Sequence, residues 1–168
     1  EYENIKKYAF NFFNALIESN LNYIVIYPNN DLGSREILNE ISKLNTNRFK
    51  VFPSIRFEFF LTFLKFSRFI IGNSSAGVRE APYYGVPTID VGSRQNRRSI
   101  HETIYSCGYE KSEILNLIYK VETSLKASKI SANRFSDFGI GNSDKLFLKI
   151  INSKEFWKIK CQKQFQEI

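Results

Sequence analysis

Apolar side chains recur along this 168-residue chain in two rhythms, a helical spacing of three to four and short unbroken runs. Residues 3–19 place Ile5, Ala9, Phe12, Phe13 and Leu16 on one helix face. "NYIVIYP" follows, a β-branched and aromatic run closed by Pro28, which predicts a buried strand. Turn residues "NNDLGS" lead to a helix with Ile37, Leu38, Ile41 and Leu44 on one face, and Ser34 is placed to cap it. "FKVFP" predicts a second strand. "RFEFFLTFLKFS" has the length of a helix but is apolar nearly all round, which predicts burial on more than one side.

"RFIIG" predicts a third strand. A short helix from Gly77 to Tyr84 comes next, limited by Pro82 and capped by Gly85. "VPTIDVG" predicts a fourth strand and "ETIYSCGY" a small fifth. A long helix follows with Ile114, Leu117, Ile118, Val121 and Leu125 on one side. Ser128 to Asn142 reads as a loop, and helices over Ser143–Ile151 and from Lys154 to about Phe165 close the chain. Short, continuously apolar strands alternating with helices predict an α/β fold, a Rossmann-like parallel sheet with helices on both faces. The length suits one domain, 1–168, and no repeat or linker divides it.

Composition trims the function classes. Apolar residues at 43% and aromatics at 15% are those of a globular chain. No run is long enough to span a membrane and no signal peptide is visible, so a cytoplasmic protein without membrane partners is expected. Cys107 and Cys161 are far apart and His101 is the only histidine, which argues against a metal. The net charge of +7 would suit nucleic acid, but the lysines are scattered and only Arg94, Arg97 and Arg98 cluster. A solvated basic surface is the plainer reading, and an anionic ligand comes ahead of nucleic acid.

"FIIGNSSAGVREAPYYGVPTIDVGSRQNRR" differs from the rest by its small residues, lone carboxylate and arginines. The strand before it delivers Asn73, Ser74 and Ser75 to the carboxyl edge of the sheet, where ligands of open α/β folds bind. Hydroxyls and first-turn N–H groups there suit a phosphate, or Ser74 and Ser75 simply cap the helix. Glu80 can accept both hydroxyls of a ribose, or it is a solvated helix glutamate. Arg94 and Arg98 at the next strand end can fork onto pyrophosphate oxygens, or form a surface patch. Two neighbouring strand ends of this kind point to a nucleoside diphosphate pocket.

"GNSSAGVREAPYYGVPTIDVGSRQNRR" closely resembles the C-terminal half of the UDP-N-acetylglucosamine 2-epimerases, in particular the hydrolysing bacterial branch that feeds sialic and legionaminic acid synthesis. "YPNNDLGS", "FPSIRFEFF" and "FWKIKCQKQF" match that branch in order and spacing, so the resemblance covers essentially the whole chain. It implies the second half of a GT-B-type fold, as in UDP-glycosyltransferases and glycogen phosphorylase. Ser74 and Ser75 would contact the diphosphate, Glu80 the ribose, Arg94 and Arg98 the phosphates, and Ser54, Ile55 and Arg56 would border the uracil. Residues 154–168 would cross to a missing N-terminal domain, with Phe156 and Trp157 landing on it.

The implied reaction has two steps and no cofactor. A base takes the C2 proton as UDP leaves C1, giving a glycal; water adds, C2 is reprotonated from the other face, and a free mannosamine-type sugar is released. The substrate would be UDP-N-acetylglucosamine or its 2,4-diacetamido-trideoxy counterpart. The acid/base carboxylates would lie in the missing domain, so the chain alone is expected to be inactive. Alternatives are a non-hydrolysing epimerase and an inactive UDP-binding module; a homo-oligomer is left open. Two departures stand out: "FGIGNS" carries Ile140 where the branch has an acidic residue, and Arg97 stands where it commonly has glycine.

Overall fold

All five strands expected from the apolar runs form in the structure, a computed structural model that describes residues 2–44, 47–127, 139 and 141–159. They are β1 (Tyr23–Ile26), β2 (Phe49–Phe52), β3 (Ile70–Gly72), β4 (Thr88–Val91) and β5 (Ile104–Cys107). The helices between them are α1 (Ile5–Glu18), α2 (Ser34–Ile41), α3 (Phe57–Phe66), α4 (Ser75–Arg79) and α5 (Lys111–Ala127). Two compact units divide the chain, Glu1–Arg134 and Phe135–Ile168.

In the first unit every ladder is parallel, β1 with β2 and β3-β4-β5 in that order. The single sheet expected from the sequence is thus present as a pair and a triplet. One apolar layer nevertheless serves both. Phe13 and Leu16 of α1, Ile41 of α2, and Ile114, Ile118 and Val121 of α5 are buried against Phe49, Ile89 and Val91. Ile89, Ile114 and Ile118 are completely buried, and each such side chain contributes about 1.5–3 kcal/mol. Leu64 of α3, Ala81 and Val86 form a smaller core with Ile70. Since Phe69 and Ile71 pack in the first core and Ile70 in the second, the two cores lie on opposite faces.

Two local expectations are corrected. Ser34 is the first residue of α2 and not its cap; Gly33, at φ 90°, holds the cap position with no side-chain bond. Helix α3 is not buried all round: Leu64 is buried, whereas Phe57, Phe59 and Phe66 are 59%, 58% and 77% exposed. Helical spacing identifies apolar positions but not what covers them, and among the described residues only one strip of α3 meets a partner.

The expected helix from Gly77 to Tyr84 is split. Helix α4 is followed by a 3₁₀ turn, Pro82–Tyr84, that ends on Gly85 in the left-handed region (φ 67°). Gly77 lets α4 press onto β4, because a Cβ there would meet Thr88 Cγ2 at 2.6 Å. Thr88 Oγ1 instead donates to the Gly77 carbonyl at 2.5 Å.

In the second unit α6 (Ser143–Ile151) forms as expected, with no buried residue of its own. Over the closing segment only a 3₁₀ turn, Phe156–Lys158, falls among the described residues. Phe156 and Trp157 pack edge to face at 5.1 Å, and Trp157 Nε1 donates to the Ile151 carbonyl. Ile140, Cys161 and residues 160–168 lie outside the described residues.

Candidate functional site

Strand β3 ends at Gly72 and hands the chain to α4 through Asn73 and Ser74. Ser74 is extended (φ −73°, ψ 141°), and its Oγ accepts from Ala76 N at 3.3 Å. The Gly77 N–H goes to the Ser74 carbonyl at 3.1 Å. Ser74 is therefore a true N-cap, as the plainer reading held, and two first-turn N–H groups are already engaged. Among the described residues its hydroxyl proton has no acceptor, which suits it to one in front of the helix. Ser75, half-buried, is the first helical residue.

Glu80 was expected within this helix. It lies just past the end, as the C-cap, because α4 is only five residues long. It is half-buried, and among the described residues its carboxylate has neither an ion-pair nor a hydrogen-bond partner. A carboxylate half withdrawn from water without a partner is available to hydroxyl donors.

The β4 strand end supplies Arg94, Arg97 and Arg98, all exposed. Arg94 reaches across to Asp31 of the β1–α2 loop, Nη2 to Oδ2 at 3.5 Å. With both groups about half exposed or more, that pair adds little stability and leaves the guanidinium free to re-pair with an anion. Arg97 holds φ 63°, so the position where the resemblance led one to expect glycine does adopt the left-handed region that favours it.

Between these arginines lies the residue that sequence reasoning passed over. Gln95 is buried, 3% exposed, in a loop whose neighbours face solvent. Its Nε2 donates to the Asn73 carbonyl at 2.7 Å, and its Oε1 accepts from Arg98 Nη1 at 3.3 Å. One amide thereby ties the β3 loop to the β4 loop and orients Arg98 between them. The only sequence signal was an uncharged donor-acceptor side chain set among arginines.

Ser54, Ile55 and Arg56 follow β2, also at a carboxyl end. Arg56 caps α3, pairs with Glu58 at 3.4 Å and lies over the Phe59 ring at 5.9 Å. Among the described residues no hydrogen bond or ion pair joins these three to Ser74, Ser75, Glu80, Arg94 or Arg98. Hydrogen bonding thus joins the β3 and β4 loops, and among the described residues no such bond reaches the β2 loop.

Asp90 of β4 is a second unforeseen group. It is 3% exposed on the side of the strand that Thr88 turns toward α4, and burial raises its carboxyl above the usual range. No cluster able to hold a metal occurs among the described residues, and none of their helices is long and apolar enough to cross a membrane.

The family model described as UDP-N-acetylglucosamine 2-epimerase matches residues 1–152. A UDP-N-acetylglucosamine 2-epimerase of Neisseria meningitidis is 43% identical over 96% of this chain and 42% of its own length. A hydrolysing GDP/UDP-N,N'-diacetylbacillosamine 2-epimerase of Campylobacter jejuni is 35% identical over 41% of this chain and 18% of its own. The crystal structure of a Neisseria meningitidis UDP-GlcNAc 2-epimerase bound to UDP-GlcNAc superposes with a TM-score of 0.69, at 18% identity, over 89% of this chain and 40% of that one. The chain spans less than half the length of these relatives.

Proposed function

This chain belongs to the UDP-N-acetylglucosamine 2-epimerase family, and we propose that it is the UDP-binding half of a hydrolysing member. The observation that supports this reading is the pair of strand-end loops joined by Gln95, which links the loop that leads into Ser74 to the loop that carries Arg98. Ser74, with Ser75, would bind the diphosphate through hydroxyl and N–H donors. Glu80 would accept the ribose hydroxyls, and Arg94 and Arg98 would neutralise the phosphates. Ser54, Ile55 and Arg56 would border the base. Solvent-facing arginines suit a site that must gather around a nucleotide when it arrives.

In the proposed reaction the C2–H and C1–O bonds break as a C1–C2 double bond forms, and UDP carries away the electron pair of the C1–O bond. Hydration of the glycal, with C2 reprotonated from the other face, then yields the free mannosamine-type sugar. The C2 proton is weakly acidic, so stabilising the departing diphosphate is a large part of the catalysis. That share falls to this chain. The proton-transfer carboxylates would come from the remaining part of the protein, and the isolated chain would turn over nothing. The hydrolysing relative favours this branch; the Neisseria relative, named simply as a 2-epimerase, keeps the non-hydrolysing reaction as the second reading.

Calorimetric titration of UDP into the purified protein and into Glu80→Ala tests the site. Binding should weaken about tenfold in the variant, the loss of roughly one charge-assisted hydrogen bond. Identical isotherms, or no binding by either protein, would refute the assignment. With the full-length protein, free mannosamine derivative as product supports hydrolysis, and an exclusively UDP-linked product supports the second reading.

A further inference from the structure

Among the residues of the five strands only Asp90 carries a carboxyl group. It lies in β4, the central strand of the triplet, and is 3% exposed. Two residues earlier on the same face, the Thr88 hydroxyl donates to the Gly77 carbonyl of α4. The chain turns back from the carboxyl end of β3 into α4, so the first turn of that helix lies beyond Gly77, over Asp90. Asp90 therefore sits behind the turn that carries Ser74 and Ser75, one strand spacing and about one helical turn away, on the order of 10 Å.

Among the described residues nothing beside it supplies a donor. In register with Asp90, Gly72 of β3 has no side chain, and a Cβ there would meet no atom within 4 Å. On the β5 side its neighbour is Ser106, which makes no hydrogen bond to it. The Gln95 amide is engaged by Asn73 and Arg98, and the Thr88 hydroxyl by Gly77. Nor does any ion pair among the described residues include Asp90. The ionisable groups around it are Arg79 of α4, Tyr83 and Tyr84 of the 3₁₀ turn, and Arg94, Arg97 and Arg98 of the following loop. Strand β3 brings none, and Cys107 of β5 and Glu113 of α5 belong to the other face of the sheet. Burial, and none of these charges, raises its carboxyl above the usual range. Without a donor the ionised form is disfavoured there and the neutral acid is tolerated.

We propose that Asp90 couples anion binding at the α4 turn to protonation: its carboxyl is neutral while a nucleoside diphosphate is bound, and its ionisation weakens the hold on the phosphates. The inference rests on the nucleotide reading above and adds a control to the same site. A carboxylate and a doubly charged phosphate group on the order of 10 Å apart, at an effective dielectric of about 20, repel enough to change affinity by at least about tenfold. The coupling is reciprocal. Ionised Asp90 opposes the phosphates, and bound phosphates hold the proton on Asp90, so binding takes up protons. Affinity is therefore highest where the carboxyl is protonated and falls as pH rises through its titration.

Calorimetric titration of UDP into the full-length protein and into its Asp90→Asn variant, in steps from about pH 5 to about pH 8, tests the coupling. The ratio of the two affinities cancels the titration of UDP itself. It should grow in favour of the variant by at least about tenfold across that range. In buffers of different ionisation enthalpy, wild type should take up more protons on binding than the variant. A second measurement needs no variant: the carboxyl carbon of Asp90, followed by NMR in wild type, should titrate at higher pH with UDP bound than without it. A ratio that stays constant with pH, or a carboxyl titration that UDP leaves in place, overturns the proposal and leaves the nucleotide reading standing. Absence of UDP binding by both proteins at every pH overturns the two together.

Discussion

Replacing Gln95 separates the packing of the site from its wiring. Gln95→Ala removes the 2.7 Å bond to Asn73 and the 3.3 Å bond from Arg98. The first is a short neutral bond worth about 1 kcal/mol net; the second is long and partly exposed, about 0.5 kcal/mol. Truncating a side chain that is 3% exposed adds roughly 1 kcal/mol for the vacated space. The total is about 2–3 kcal/mol, and at about 2–4 °C per kcal/mol for a chain of this size Tm should fall by about 5–10 °C. Gln95→Met restores the volume without either bond, so scanning calorimetry should show roughly half that loss. UDP affinity should nevertheless drop by about tenfold in both variants, because both release the β3 and β4 loops from each other. A Gln95→Met protein that binds UDP like wild type would refute the positioning role, and a wild-type Tm in Gln95→Ala would refute the hydrogen-bond assignment.

Gly77→Ala should cost about 2–3 kcal/mol in thermal unfolding, since its Cβ would meet Thr88 Cγ2 at 2.6 Å. Thr88→Ser in the same background removes that methyl, keeps the hydroxyl, and should recover more than half of the loss, a coupling absent if the two residues act independently. Arg97→Gly should raise stability, or leave it unchanged, by up to about 1 kcal/mol in urea unfolding, because φ 63° strains an arginine and not a glycine. Burial first, then the Glu113 and Asp90 carboxylates, push the Cys107 thiol up to about 11. Iodoacetamide labelling of Cys107, followed by peptide mass spectrometry, should therefore be very slow at pH 8 and rise about tenfold per pH unit up to pH 10.

What was legible in the sequence divides by distance along the chain. Strand β4 and helix α5 could be read because burial on both faces of a strand, or along one face of a helix, leaves its pattern in consecutive residues. Ser74 as a cap and Gly85 as a left-handed stop are equally local, each resting on bonds within a few residues. The split of the sheet and the bare phenylalanines of α3 were hidden for the opposite reason. Their pattern states that a side chain or a backbone row wants cover, and the cover is not among the neighbouring residues. Ile24 reads as a buried strand residue and is 46% exposed.

The site obeys the same division. Hydroxyls, a carboxylate and arginines at two strand ends were readable as a kind of chemistry, since residue type and strand end are local properties. Their connection was not, because the bond that joins them links Gln95 to a carbonyl 22 residues earlier. An amide in a polar loop carries no periodicity, and its burial arises only once β3 and β4 lie in register, Gly72 opposite Asp90. Beside that register Gly77, whose missing Cβ lets α4 settle on Thr88, sets how closely the helix packs on β4. The glycine in the middle of the small-residue stretch, whose N–H also holds the Ser74 carbonyl, therefore fixes how closely the site's helix approaches β4, and substitutions there should act on ligand affinity through the distance between Asn73 and Gln95.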